Sequence, residues 1–229
     1  MKVGITVPVI SNFKGCVEML QSFKTSHRYG IYIIPQWRIQ LPLAKAWNLG
    51  IQMAFDDGCD YVIVANDDIL FSPKTVDNLI SEYERWQKEK VVMVTGSNIF
   101  GQLAFPYDIL KYEPGDGEIA DHPDFSCFMV KKGFFEIMGK FDENFVPAWY
   151  EDNDAHYRIG LLGYRAISSP RCPIAHFGRG STQEGANSNT SMQYYVNKWG
   201  GLPGDEKFVN PFGTDGRSPK EWNSNSLQG

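Results

Sequence analysis

Asn66, Asp67 and Asp68 stand together in "DYVIVANDDILFSP" (residues 60–73), directly after the apolar run Tyr61–Ala65. Two adjacent carboxylates raise each other's ionisation cost, and burial raises it further. Such a group needs compensation: either it lies in solvent as an ordinary Asp turn, or it holds a cation. A hard divalent ion such as Mg²⁺ or Mn²⁺ takes carboxylate oxygens and often bridges them to substrate phosphates. Further chemistry-bearing groups stand downstream. "WYEDNDAHYR" (149–158) carries Glu151, Asp152 and Asp154. Asp154 and Arg158 have the i,i+4 spacing of a helical ion pair, and acids in a first turn suit the helix dipole. That account covers Glu151 and Asp154 and leaves Asp152, beside two aromatics, as a candidate general base. His176 in "PIAHFGRGS" (173–181) follows a short apolar strand and precedes a Gly-rich turn. A lone His is usually a surface or satisfied core residue; close to Asp68 it would complete a metal shell.

The elements that would position these groups follow from hydrophobic pattern. Residues 3–10 ("VGITVPVI"), 31–35 ("IYIIP"), 61–65 ("YVIVA") and 91–95 ("VVMVT") are short, β-branched and bounded by polar residues, so they read as strands. Ser11 and Asn12 can cap a helix with Val17, Leu20 and Phe23 on its apolar side. Trp47, Ile51, Ala54 and Phe55 make the stripe of a second helix, stopped by Gly58. Ser72-Pro73 reads as a cap with Pro at the first position of a third, whose stripe is Val76, Leu79, Ile80 and Tyr83. Strands apolar on both faces, alternating with helices, predict a mostly parallel sheet covered on each side, with these four strands as neighbours. Ligands of such sheets sit outside the carboxyl ends of the strands, where Asn66, Asp67 and Asp68 fall.

Beyond residue 97 the rhythm changes. Residues 97–124 are rich in Gly, Pro and Asp, with strand-like pieces such as "YDILKY". "FSCFMV" reads as a strand, "KKGFFEIMG" as a short helix, and Ala155, Ile159 and Leu162 as the stripe of a helix from near Glu151 to Gly163. The last fifty residues are polar, with aromatic punctuation in "MQYYVNKWGG", and read as an irregular tail wrapped over the domain.

Composition narrows the class. The 229 residues are 42% hydrophobic and 21% charged, which suits one sizeable core. A net charge of −5 with no Lys/Arg cluster argues against a nucleic-acid or anionic-membrane partner. The scattered cysteines Cys16, Cys59, Cys127 and Cys172 include no CxxC and read as free thiols in a reducing compartment. "MKVGITVPVI" is too short and β-branched for a signal h-region, and no apolar run is long enough to be a transmembrane segment. The expectation is a soluble, cytoplasmic protein.

In order and spacing these motifs resemble the inverting glycosyltransferases of the GT-A fold, the large second family of that classification. The likeness runs over about residues 2–181: "TVPVISN", the Asn-x-Gly helix "AWNLGI", "NDDILFSP", "GKFDENF", the "EDxD…R" helix and "AHFGRGS". It implies one α/β GT-A domain over 1–229, with a nucleotide-sugar-binding half (1–96), an acceptor and catalytic half (97–181) and the tail (182–229). It further implies that Asp68 holds a divalent metal ion (Mn²⁺ or Mg²⁺) on the donor diphosphate, with His176 as a further ligand. Asn66 and Asp67 would touch the ribose or the metal, Pro8, Val9 and Asn48 the donor, and Asp152 would deprotonate the acceptor hydroxyl. The implied partners are a nucleotide-diphosphate sugar donor and a glycan, glycoconjugate or other hydroxyl acceptor. Departures are Asn66 in place of the usual first Asp, "PQWRI" without the acidic turn that members often use near the nucleobase, and Trp47 where Arg is common, with Lys45 as a substitute at the phosphates. A sugar-nucleotide nucleotidyltransferase ranks lower, because "VPVISNF" has neither a Gly pair nor an Arg. A non-catalytic carbohydrate-binding module would not need Asp68, Asp152 and His176 together.

Overall fold

A computed structural model describes residues 1–178 and 188–214. Arg179, Gly180 and Ser181 of the last motif, and residues 182–187 and 215–229 of the expected tail, lie outside the described residues.

Strand β1 (Lys2–Val9) is buried from Val3 onward. Helix α1 (Phe13–Ser22) follows, and Asn12 caps it as expected, its side chain accepting from the Gly15 N–H at 3.1 Å. Of the predicted stripe, Phe23 is buried in the core and Leu20 packs against it, but Val17 is 53% exposed, and within the helix the buried positions are Cys16, Met19 and Ser22. Tertiary contacts fix the rotation of the helix. A Cβ at Gly15 would run into the Asp67 carbonyl, and one and two turns on, Met19 is buried and Ser22 Oγ accepts from the Phe71 N–H at 3.0 Å. Next come β2 (Arg28–Pro35), the one-turn α2 (Gln36–Ile39) and α3 (Leu43–Asp56). At Gly50 of α3 a side chain would collide with Thr6 of β1, so glycine sets how closely helix and sheet approach.

Strands β3 (Tyr61–Ala65) and β4 (Ile69–Phe71) flank the Asn66–Asp68 turn. Helix α4 (Thr75–Trp86) starts two residues later than the Ser72-Pro73 pattern predicts, because Ser72 Oγ bonds Thr75 Oγ1 at 3.0 Å and both lie buried beneath the helix start. After β5 (Val91–Asn98), "YDILKY" forms a 3₁₀ turn over Pro106–Lys111 rather than a strand, with Asp108 accepting from the Phe105 N–H at 3.0 Å. The remaining elements are β6 (Cys127–Lys131), α5 (Phe134–Met138), α6 (Glu151–Leu161), β7 (Arg165–His176) and α7 (Asn189–Trp199). Helix α7 replaces residues 189–199 of the expected irregular tail: Tyr195 and Trp199, four apart, are fully buried with Phe145.

One seven-stranded sheet has the order β2-β1-β3-β6-β5-β7-β4. β2, β1, β3, β5 and β7 run in one direction, while β6 and β4 are reversed. The sheet is therefore mostly parallel, as predicted, but β6 separates β3 from β5, which the sequence pattern places side by side. Alternation along β3 divides the core. Tyr61, Ile63 and Ala65 face the α1 and α4 side, and Val62 and Val64 face the α3 and α6 side. All four cysteines are buried free thiols, and no described helix is long and apolar enough to cross a membrane.

Candidate active site

Strand direction gathers the acidic groups. The strands that run with β3 bring their carboxyl ends to one edge of the sheet, and the reversed strands β4 and β6 begin there. Asn66, Asp67 and Asp68 lie between the end of β3 and the start of β4; Asp124 shortly precedes β6; Asn98 and His176 end β5 and β7. Ile69 pairs with His176, the Phe177 N–H donates to the Asp68 carbonyl at 3.0 Å, and the His176 N–H donates to Asn98 Oδ1 at 3.2 Å. Asp68 and His176, far apart in sequence, thereby converge: Nε2 lies 3.3 Å from Oδ1.

The Asp68 side chain is 2% exposed. Its contact with His176 lacks hydrogen-bond alignment, and neither carboxylate oxygen has a hydrogen-bond partner among the described residues. The carboxylate pushes the His176 pKa up against the opposing effect of burial, with Asp124 adding to the rise. A buried carboxylate with one imidazole beside it and both oxygens free is costly unless a cation completes it. The donor set of one carboxylate and one imidazole fits Mn²⁺ or Mg²⁺, which commonly take one or two protein ligands and fill the rest from phosphates and water. No cluster of three or more His, Cys, Asp or Glu with metal-ligand spacing occurs among the described residues.

Around this pair, Asn12 Nδ2 donates to the Asp67 carbonyl at 3.0 Å, which ties α1 to the acidic turn. Asp67 is 4% exposed, and its charge adds to burial in pushing the Cys16 thiol up. Asn12, Lys14, Glu18, Asp68, Tyr107 and Phe177 line a cleft of about 120 Å³. Pro8 and Val9 are buried at the end of β1, and Asn66 is half-buried with its N–H on the Ser126 carbonyl at 2.9 Å. Asn48 goes elsewhere. Its carboxamide donates to the Phe141 carbonyl and accepts from the Phe141 N–H, both at 2.9 Å, and also donates to Glu143 at 3.0 Å. It clamps the "FDENF" segment onto α3. Lys45 likewise turns to Glu143, at 3.6 Å, and Trp47 packs within a ring cluster of Phe125, Phe128 and Phe141.

Asp152 lies in the first turn of α6, half-buried, its Oδ1 accepting from the Asn153 N–H at 2.8 Å. Burial pushes its carboxyl up, the backbone N–H groups oppose this, and the Asp124 charge adds to the rise. Asp152 and Asp68 line separate clefts with no lining residue in common. Asp124 is electrostatically coupled both to Asp152 and to His176. Its Oδ1 accepts from the Ser126 N–H at 2.8 Å and its own N–H donates to Thr95 at 3.1 Å. The cleft at Asp152 is also lined by Trp149, Tyr150, Glu151, Ser188 and Leu202.

Glu151 is 4% exposed, and its Oε2 has no hydrogen-bond partner among the described residues. Burial first, then the Asp152 and Asp154 charges, push its carboxyl up to about 8. The folded chain thus keeps a proton that the unfolded chain loses near the ordinary value of 4.5, and stability falls as pH rises from there to about 8. We expect Glu151→Gln to remove this part of the slope. In urea unfolding at pH 5 and pH 8 the wild type should lose on the order of 2–4 kcal/mol more than the variant, since each tenfold difference in proton affinity between folded and unfolded chain is worth about 1.4 kcal/mol. Equal losses would show that Glu151 ionises normally in the fold.

No family model matches the chain. A galactofuranosyl glycosyltransferase of Leishmania donovani is 24% identical over 128 residues, which are 54% of this chain, and the chain spans 30% of that relative's length. Among solved structures, Drosophila β1,4-galactosyltransferase 7, in complex with manganese, UDP-Gal and xylobiose, has a TM-score of 0.55 at 15% identity, covering 83% of this chain and 78% of its own. GalNAc-T7 with UDP, GalNAc and Mn²⁺ has a TM-score of 0.60 at 10% identity, over 86% of this chain and 48% of that one. The fold of this chain is the GT-A fold of these glycosyltransferases.

Proposed function

We propose that this protein is a glycosyltransferase that moves a sugar from a nucleotide-diphosphate donor to an acceptor hydroxyl by inverting single displacement. The observation that carries this reading is the Asp68 carboxylate, buried, without a hydrogen-bond partner among the described residues and 3.3 Å from His176, at the carboxyl edge of a GT-A sheet. The solved neighbours' complexes with UDP-sugars and Mn²⁺, and the name of the curated relative, support it.

In this reading Asp68 and His176 hold a divalent ion, which stabilises the negative charge of the leaving diphosphate when bound. Asn66 and Asp67 border the donor at the same turn, with Pro8 and Val9 beneath it. Asn48 positions the "FDENF" segment rather than touching the nucleotide, a role that its hydrogen bonds to Phe141 support. Asp152 takes the proton of the attacking acceptor hydroxyl, and its raised pKa brings its basicity closer to that task. Residues 1–96 then form the donor half and residues 97–181 the acceptor half.

A panel of nucleotide sugars with and without Mn²⁺ tests the reading. One donor at a hundredfold excess over its Kd should stabilise the protein by about 2.7 kcal/mol, or roughly 5–10 °C in Tm, only with metal present. The same donor should then be slowly hydrolysed, and transferred once an acceptor is supplied. No response to any nucleotide sugar, or turnover of a nucleoside triphosphate with a sugar phosphate, would overturn it.

A further inference from the structure

Helix α7 meets α6 through a buried lysine. Lys198 Nζ lies 2.6 Å from Asp142 Oδ2 and 2.7 Å from Asp154 Oδ1, and all three side chains are fully buried. Asp154, in α6, also accepts from Arg158 Nε and from Trp199 Nε1, each at 2.8 Å. Asp142, in the "FDENF" segment, accepts from the Tyr194 hydroxyl at 2.9 Å and from the Asn144 N–H at 3.0 Å. Arg158 Nη1 donates to the Met138 carbonyl at 2.7 Å, which brings in α5. Two carboxylates and two cations thus balance in a site shielded from water, tying together four segments of the chain.

Stability alone does not account for this arrangement, since well-packed apolar residues commonly replace a buried ion set at no loss. Its position gives another reason. Asp154 is two residues from Asp152, in the same helical turn. Trp149 and Tyr150, just before that turn, hold φ angles of 75° and 69°. Aromatic residues seldom adopt these values, and surrounding structure has to impose them. The start of α6 is therefore fixed by tertiary contacts and not by local preference.

We propose that Lys198 is a positioning residue: by joining Asp142 to Asp154 it fixes the first turn of α6 and with it the Asp152 carboxylate. The role rests on the reading of Asp152 as the base of a glycosyl transfer. It makes α7 part of the catalytic unit, although none of its residues needs to touch substrate.

Lys198→Met alone would strand two buried carboxylates against a single arginine and endanger folding. The double variant Lys198→Met/Asp142→Asn removes one charge of each sign, leaves the Asp154–Arg158 pair intact, and gives the Tyr194 hydroxyl an amide oxygen. We compare kcat and donor KM in the wild type, Asp152→Asn, the double variant and the triple combination. Donor KM should stay within about twofold, while kcat of the double variant falls roughly 10–100-fold, the scale of an ångström misplacement of a reacting group. Adding Asp152→Asn should cost no more than about twofold beyond Asp152→Asn alone, because a base already removed cannot be misplaced. A wild-type kcat in the double variant, losses that multiply in the triple variant, or failure of the charge-balanced variant to fold would each overturn the positioning role. Wild-type turnover is read first in the same assay: its absence removes the transfer reading and this role with it, whereas its presence with any of those three outcomes removes the role alone.

Discussion

Asp68→Ala should abolish Mn²⁺-dependent donor binding while leaving the protein without donor at least as stable as before. The two effects have one origin. The Asp68 carboxylate is 2% exposed, with both oxygens lacking a hydrogen-bond partner among the described residues and the His176 imidazole beside it. In the absence of a cation that arrangement is a burden on the fold, because a buried charge loses its hydration without full replacement. Truncation removes the burden, so the Tm without ligand should hold or rise. It also removes the charged ligand from the proposed metal pair and leaves an imidazole alone. Loss of a group that merely orients a metal ligand weakens metal sites 10–100-fold, so loss of the carboxylate itself should weaken donor affinity by at least about 10²-fold in Mn²⁺. Calorimetric titration of donor in Mn²⁺ and in a chelator reads the first effect, and a thermal melt reads the second. A variant that binds donor normally in Mn²⁺ would place the metal elsewhere. One that loses donor binding together with several degrees of Tm would make Asp68 a structural residue.

Where function and local pattern coincide, the sequence is readable. The run Tyr61–Ala65 is bounded by polar residues and is strand β3 to the residue. Asp154 and Arg158 pair at 2.8 Å as their helical spacing requires. What escapes the sequence depends on direction and on distant partners. Asp124 reaches the same edge as Asp68 because β6 runs backwards through the sheet, and nothing in "HPDFSCFMV" states which way that strand will run. Asn48 reads as donor-facing until Phe141, 93 residues away, takes both ends of its carboxamide. Val17 and Phe23 both suit an apolar stripe, and distant contacts, the close approach of Gly15 to the Asp67 carbonyl and the Ser22 bond to the Phe71 N–H, decide how α1 is rotated. Helix α7 is legible in part: Ser191, Tyr195, Lys198 and Trp199 recur at helical spacing, but the surrounding Asn and Ser hide the period. That Lys198 is buried cannot be read at all, since a lysine is ordinarily exposed and its partners lie in other segments.

Asp152→Asn should slow sugar transfer by on the order of 10²–10⁴ in kcat, the usual worth of a positioned base, with donor KM nearly unchanged. The local geometry makes this substitution clean. Asp152 Oδ1 accepts from the Asn153 N–H at 2.8 Å, and the amide oxygen of asparagine can accept the same bond, so the first turn of α6 keeps its shape. Only basicity is lost. Burial and the Asp124 charge hold the wild-type carboxyl above its ordinary value, so the rate should climb with pH through a pKa above that of a free Asp, and this limb should vanish in the variant. Glu151 is the internal control. With its carboxyl pushed up to about 8 it is mostly protonated at neutral pH, so Glu151→Gln should retain most of the transfer rate at pH 7. If the roles were exchanged, Glu151→Gln would carry the large loss and Asp152→Asn the small one, and the two variants measured side by side decide it. Stereochemistry gives a second reading of the same step. A base that activates the acceptor on the face opposite the leaving diphosphate yields a product with the inverted anomeric centre, which NMR of the product reports directly. Retained configuration would exclude single displacement whatever the kinetics show, and full activity in Asp152→Asn would take this carboxylate out of the reaction.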